Sequence, residues 1–486
     1  MNARGLITSV ALLTLTACAV GPDYHRPAVP VPESYRMAGE TPQSQSIANI
    51  PWWELLHDPE LQKLVRIALD QNKDLMVAAA SVEEYRARLG VARIDYAPQI
   101  DAVVNAPVLG RLNGVRLPGF ATPFNYYGQS ELSWELDLWG RIRRANEAAR
   151  AQLLAREDNQ RAIVLELVSS VAQAYFELRQ LDLQLEITNR TLLSWEDSVK
   201  IAQARLRRGL IPKLDADQFE SERDNAAARK AELERAVAQK EDELSVLLGS
   251  NPAGIPRGQA LTDQVMPPAV PAGLPSDLLR RRPDILESEQ VLAAATAGIG
   301  EAKAERFPTI SLTGLLGVAS PQLSNLLTTG TGYGAAGLGL AVPLLNATSL
   351  GFQQKVAIAQ AKQALARYEK TVIVAFKEVN DALVAIDTSR RETDAKDAQV
   401  QSLQSALRLA DERYRGGLSN YLDVLTAKRN LFDAELELAS TRRLHLVSIV
   451  QLYKALGGGW SPPVRESRLI PEQESQGQGA GDDSSR

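Results

Sequence analysis

Side chains able to do nucleophilic, acid–base or metal chemistry are scarce in this chain: one Cys, Cys18, and three His, His25, His57 and His445. A disulfide framework, a zinc site and thiol catalysis each need more of these residues than the sequence provides. His25 and His57 lie in the N-terminal segment and His445 stands alone in a long helical run, so no nucleophile, base and orienting group fall together. The Gly-rich stretch Gly330 to Gly339 lacks the Gly-Lys-Ser/Thr ending of a phosphate cradle. Neither enzyme activity nor a metal or cofactor is expected. What stands out instead is a polar row with three carboxylates: Glu131, Ser133, Glu135 and Asp137 alternate with Leu132, Trp134, Leu136 and Leu138. That period of two gives a strand one wet and one greasy face. With 54 basic against 59 acidic side chains and a formal charge of −5, the chain does not suit nucleic acid, which selects for concentrated Lys and Arg.

Cys18 reads as a membrane anchor rather than a reagent. Arg4, an apolar run from Leu6 to Leu15 and then Leu15-Thr16-Ala17-Cys18 have the layout of a secretory signal over residues 1–17. The run is shorter than the roughly 20 apolar residues of a spanning helix. Its last four residues resemble the bacterial lipobox, in which the Cys is lipidated and becomes the first residue of the mature protein. Several acyl chains are needed for a firm hold, because one chain anchors weakly. Ala19 follows, where an aspartate would resemble an inner-membrane retention signal, so outer-membrane sorting is expected.

The elements that position the carboxylates are visible as stretches without Gly or Pro, the residues that punctuate helices. Four long stretches run from Arg141 to Arg208, Lys213 to Leu248, Phe352 to Arg415 and Leu418 to Leu456. The longest would extend roughly 100 Å as a helix. Within it Val164, Val171, Leu178, Leu185, Leu192 and Val199 recur every seven residues, with Leu167, Ala174, Leu181, Thr188, Trp195 and Ala202 between them. This is the a/d seam of coiled-coil packing. A second series, Val372, Val379, Ile386, Thr393, Val400, Leu407 and Tyr414, keeps the same phase about 208 to 210 positions later. Gly209-Leu210 with Leu214-Asp215 matches Gly417-Leu418 with Leu422-Asp423, and Leu248-Gly249 matches Leu456-Gly457. The chain therefore reads as an internal duplication: an N-terminal segment 18–72, a first repeat 73–250, a Pro-rich connector 251–275, a second repeat 276–458 and a disordered tail 459–486.

Each repeat also holds two stretches with strand character: Gln99 to Val104 and Gln129 to Leu138, then Thr309 to Gly317 and Tyr333 to Leu344. Ten-residue strands of alternating hydrophobicity fit an outer-membrane barrel, which needs at least eight strands. Four strands leave two bare edges that lipid cannot hydrogen-bond. Two copies would supply 8 strands and three would supply 12. The wet face with Glu131, Glu135 and Asp137 would then line a water-filled bore.

Several motifs sharpen this. Val20-Gly21-Pro22-Asp23-Tyr24 after the lipobox, Trp52-Trp53 before Asp58-Pro59-Glu60-Leu61, the string from Gly273-Leu274-Pro275-Ser276 through Arg280-Arg281-Arg282-Pro283-Asp284-Ile285, and Arg413-Tyr414-Arg415-Gly416-Gly417 with Tyr421-Leu422-Asp423-Val424-Leu425 resemble the lipoprotein branch of the TolC-like outer-membrane factors, from Cys18 to about Gly458. The resemblance implies an α+β fold in a homotrimer, with a 12-stranded transmembrane β-barrel continuous with a long periplasmic α-helical barrel. It implies an equatorial domain built from the termini and connector. It also implies a passive exit duct for small molecules, coupled through a periplasmic adaptor to an inner-membrane transporter. Gly209-Leu210 and Gly417-Leu418 would form the periplasmic tips. The family's gate ring would fall on Leu422 and Asp423, with Thr426 standing where a second carboxylate is usual. Its closed-state link would join Tyr414 to Asp215. A periplasmic coiled-coil scaffold or adaptor lipoprotein would share the heptads but not the strands.

Overall fold

The computed structural model describes residues 19–35, 47–49, 51–105, 126–264, 275–320, 322–419 and 421–458. The expected leader, Cys18 and the tail from 459 lie outside them. The described chain forms helices α1 (Trp52–Leu55), α2 (Pro59–Gln71) and α3 (Lys73–Ile94), then strands β1 (Gln99–Asn105) and β2 (Tyr126–Leu136). A long hairpin of α4 (Arg141–Arg207) and α5 (Lys213–Leu247) follows. The second half repeats the plan with α6 (Pro275–Arg281), α7 (Pro283–Ala304), β3 (Thr309–Ser320), β4 (Gly332–Ala341), α8 (Ala347–Arg415) and α9 (Tyr421–Ala455). Corresponding helices have matching lengths: 22 residues in α3 and α7, 67 and 69 in α4 and α8, 35 in α5 and α9.

Helix ends differ from the Gly/Pro-free stretches where local chemistry overrides composition. Helix α8 starts at Ala347 and runs through Gly351, because one interior glycine costs only about 1 kcal/mol. Strand β2 starts three residues before the alternating segment and stops at Leu136, which leaves Asp137 beyond the sheet. Strand β4 ends at Ala341, so Val342 and Leu344 do not belong to it. Pro275, expected at the end of the connector, opens α6.

All four long helices of the hairpins end in the same turn. Gly209, Gly249, Gly417 and Gly457 take positive φ of 67°, 73°, 72° and 84°. Beyond each, a backbone N–H reaches back five residues: Leu210 to Arg205, Ser250 to Ser245, Leu418 to Arg413 and Gly458 to Tyr453, at 2.8–2.9 Å. This Schellman turn satisfies carbonyls that a helix terminus would otherwise strand.

The four strands form one antiparallel sheet in chain order, β1-β2-β3-β4. Its register aligns Ile100 with Leu132, Leu132 with Gly314, Trp134 with Leu312, and Leu312 with Leu338. Because side chains alternate, one face collects Ile100, Leu132, Trp134, Leu312 and Leu338, and the other collects Asp101, Gln129, Glu131, Ser133, Ser311 and Thr313 together with Val103 and Leu315. Below the sheet the helices continue this order. Helix α4 packs between α3 and α7, and α7 against α8; further down α4 packs between α5 and α9, and α9 against α8. The seam residues Val171, Leu178, Trp195, Val199 and Ala202 are buried between them, as are Val372, Val379 and Val400. At both levels the described residues form a single four-element layer with two free edges.

The core is thickest midway along the helices. Asp58 is fully buried, caps α2 with Pro59 at the first helical position, and accepts bonds from Tyr175 (2.8 Å), the Gln259 N–H (2.9 Å) and Gln264 (2.9 Å). Burial alone would raise its pKa, but the bonds from Gln264, Tyr175 and the Glu60 and Leu61 N–H groups outweigh it and hold the carboxyl below its ordinary value. Arg282 plays the matching part in the second half. Buried, it bonds Asp284, Glu378 and the Ala455 carbonyl. The motif residues Asp58 and Arg282 thus tie the N-terminal segment, connector and C-terminus to the long helices.

Two stability predictions result. Asp58→Asn strands donors that need an acceptor and costs about 3 kcal/mol in denaturant unfolding of the detergent-solubilised protein. A depressed folded pKa stabilises fully above the unfolded value near 4 and is lost as pH falls through the folded one. The wild-type protein therefore loses stability below about pH 4 more steeply than the variant. Gly209→Ala incurs only the left-handed cost of about 1–2 kcal/mol. Gly249→Ala costs more, because its Cβ would lie 2.2 Å from the Gln71 carbonyl oxygen.

Candidate functional site

The carboxylates of the alternating segment have three different surroundings. Glu131 sits mid-strand on the polar face, hydrogen-bonded by Gln129 and facing Asp101 across the ladder. Glu135 is near the end of β2 and holds Arg141 through two bonds of 2.8 and 2.9 Å. Asp137 accepts from the Ile142 and Arg143 N–H groups at 3.1 and 2.9 Å. It caps α4 from outside the helix, where the N-terminal partial charge favours an anion. Asp137 is therefore not a strand residue of the polar face.

On the opposite face several large apolar side chains have no cover: Val104 is 80% exposed, Leu316 73% and Leu338 71%. Aromatic residues gather where sheet meets helices. Trp134 donates to the Tyr96 carbonyl (3.0 Å), and Trp139 donates to the Pro308 carbonyl (2.8 Å) while stacking on Phe307. The N-terminal segment arrives at this junction. The Val20 N–H bonds the Trp139 carbonyl (3.0 Å), Ala19 lies against Gly140, and Gly21 packs so closely on the Gly300 backbone that a Cβ on Gly21 would clash with it, while a Cβ on Gly300 would press on the Arg144 side chain. Asp23 then pairs with buried Arg144 (2.7 Å), and Tyr24 and Arg26 both bond Glu289. The Gly21-Pro22-Asp23-Tyr24 motif is thus a packing seam on the side of α7 away from the polar face.

At the far end lie the hairpin turns. Leu210 and Leu418 are 67% and 75% exposed. Leu422 and Asp423 are exposed in the first turn of α9, and Thr426 is half-buried one turn on. Asp215 occupies the first turn of α5. No bond joins it to Tyr414. The Tyr414 hydroxyl instead accepts from Arg205, whose guanidinium lies 5.3 Å from the ring centre. Tyr414 of the second hairpin is thus joined to Arg205 of the first.

The hairpins are clasped further by ring contacts and by Lys428. Phe219 stacks on Tyr421 at 4.0 Å, and Tyr421 meets Tyr414 edge-on at 5.0 Å. Lys428 reaches the Ser194 and Ser198 hydroxyls at 3.0 Å each and lies 5.0 Å over the Trp195 ring. Burial pushes its pKa below the ordinary lysine value. His445 is not isolated: its Nδ1 lies 3.1 Å from the Ser389 oxygen. Ser389 is only 1% exposed, so the pair is a tie between α8 and α9. Among the described residues no group of three or more His, Cys, Asp or Glu could hold a metal ion, and no helix is long and apolar enough to cross a membrane.

The description "Outer membrane efflux protein" belongs to the family whose profile matches residues 64–250 and 274–458, the two halves of the duplication. The Toluene efflux pump outer membrane protein TtgC of Pseudomonas putida is 36% identical over 94% of this chain and 95% of its own. The Cation efflux system protein CusC of Escherichia coli is 35% identical over 95% of this chain and 100% of its own. Among solved structures, the open state of the Neisseria gonorrhoeae MtrE outer membrane channel superposes with a TM-score of 0.82 at 32% identity, covering 91% of this chain and 98% of that one. With the repeats, the one-sided sheet and the long hairpins in place, the chain belongs to the outer membrane efflux protein family.

Proposed function

We propose that three copies of this chain close into one tube through the outer membrane and periplasm, a passive exit duct for small molecules in a tripartite efflux system. One observation carries this reading: a four-stranded sheet with Ile100, Val104, Leu312, Leu316, Leu338 and Leu340 exposed on one face and, among the described residues, no partner for the outer edges of β1 and β4. Such a sheet fits lipid only as part of a closed barrel. The helical layer beneath has free edges of the same kind. Exposed Met76, Val77, Val91 and Ile94 on α3 and Phe352, Val356 and Ile373 on α8 suit burial against neighbouring copies.

In this reading the polar face lines the bore, with Glu131 as its clearest carboxylate. Glu135, held by Arg141, and Asp137, held by α4, contribute less field. Cys18, one residue before Ala19 at the sheet–helix junction, would carry its acyl chains at the inner surface of the outer membrane. Leu422, Asp423 and Thr426 would ring the periplasmic mouth, where three copies of Asp423 repel one another and attract cations. Thr426 in place of a carboxylate makes that ring weaker. The tips Gly209-Leu210 and Gly417-Leu418 would meet the periplasmic adaptor, and the energy would come from the inner-membrane transporter behind it. Relatives named for toluene and for cations are nearly equally similar, which supports a duct whose cargo is chosen elsewhere in the pump.

Extraction from outer membranes should give a species that migrates as a trimer on unheated gels and as a monomer after boiling. A freely soluble monomer would overturn the duct. In planar bilayers, Asp423→Ala combined with Tyr414→Phe or with Arg205→Gln should raise single-channel conductance severalfold and weaken cation block. Asp215→Asn should leave both unchanged, and equal effects of Asp215 and Arg205 substitutions would restore the Tyr414 to Asp215 link.

A further inference from the structure

On the polar-face side of the helical layer, just below the sheet, lies a groove of about 490 Å³ that crosses α3, α4, α7 and α8. This volume falls in the range of small-molecule sites. Its side of the layer is fixed by two observations. Glu301 at its upper end feels the field of Arg141, which Glu135 of the polar face holds. Gly300, whose far side touches Gly21, points away from Gly298 by about 200° of helix turn.

The floor is built from small residues: Ala148, Ala155, Ala294, Gly298 and Ala357. Gly298 is the informative one. A Cβ there would meet nothing within 4 Å, so no packing constraint demands glycine, and alanine would favour the helix by roughly 0.5–1 kcal/mol. What glycine provides is depth. Around this floor stand polar groups without internal partners. Gln152 and Gln360 make no side-chain hydrogen bond to any described residue, and Glu301 makes no ion pair among them. Burial raises the Glu301 pKa, Glu305 adds to the rise, and the one opposing cation, Arg141, is already engaged. A positive ligand would relieve that carboxylate. At the other end the Arg88 and Arg156 guanidiniums each lie 4.8 Å from the centre of the Tyr85 ring, and Arg156 donates to its hydroxyl at 3.3 Å; the guanidinium plane of Arg156, which lines the groove, is a flat surface on which an aromatic body can stack.

We infer that this groove is a resting site for drug-sized organic cations with a flat aromatic body, the cation at Glu301 and the rings between the alanine floor and the Tyr85–Arg156 pair. The inference rests on the duct reading, since the groove faces the bore only if the trimer closes.

The test uses the intact detergent-solubilised protein and fluorescence polarisation of rhodamine 6G, with the anionic sulforhodamine B as comparison. Wild type and Gly298→Ala should bind rhodamine 6G, Glu301→Gln should weaken it roughly tenfold, and Gly298→Trp, which fills open space, should abolish it. Sulforhodamine B should bind none of them comparably. Identical rhodamine titrations for all four proteins, or no wild-type binding, would overturn the site. Bilayer conductance of the same preparations separates the two readings: channels that conduct while the dye results fail leave the duct standing, and channels that do not conduct remove the duct itself.

Discussion

A backbone amide that faces lipid has no water to bond, so a sheet that enters a bilayer can leave no edge unpaired. This chain supplies four strands in sequence order, with the outer edges of β1 and β4 open. Every other feature of the fold is arranged around that deficit. Most of the large apolar side chains lie on one face, the carboxylates on the other, and aromatic residues mark the level where strand gives way to helix. The same incompleteness continues downward, because the helices form one layer rather than a closed bundle. A symmetric operation that joins the strand edges joins the helical edges as well.

Duplication makes the layer regular. Helices of equal length in the two halves place their terminal glycines at matching levels, so both hairpins turn at the same height and both return to the same thick core. That core is where the least repetitive parts of the chain are fastened. Buried Asp58 collects donors from α4 and the connector, and buried Arg282 collects acceptors from α8 and the C-terminus. Nearer the tips a separate, smaller cluster around Trp195, Phe219 and Leu425 joins the two hairpins. The clasp of Arg205, Tyr414, Tyr421, Phe219 and Lys428 lies there.

Much of this was legible in the sequence because it depends on periodicity and punctuation. The heptad phase located buried seams at Val171, Leu178, Trp195 and Val379, and the glycines located the turns. Strand existence followed from alternation, while strand ends did not. Asp137 continues the alternating pattern, yet the N–H groups of the following helix claim it. Gly351 punctuates the sequence but not the helix. The partner of Tyr414 was missed for a related reason. Which side chain meets a tyrosine across two hairpins depends on how the helices converge at the tip, and spacing within one helix does not encode that. The groove over Gly298 was also invisible, since it is formed by the concavity of four helices and not by a local pattern.

The central claim is that the edge of β1 in one copy pairs with the edge of β4 in the next. Disulfide trapping in outer membranes tests it directly. With Cys18 as the only native cysteine, single cysteines placed along Val103 to Asn105 can be combined with single cysteines along Ala335 to Gly339 in the full-length chain. The account predicts that at least one pairing yields covalent dimers and trimers, with none larger. Exclusively monomeric product from every pairing, or a ladder extending past three chains, would contradict it.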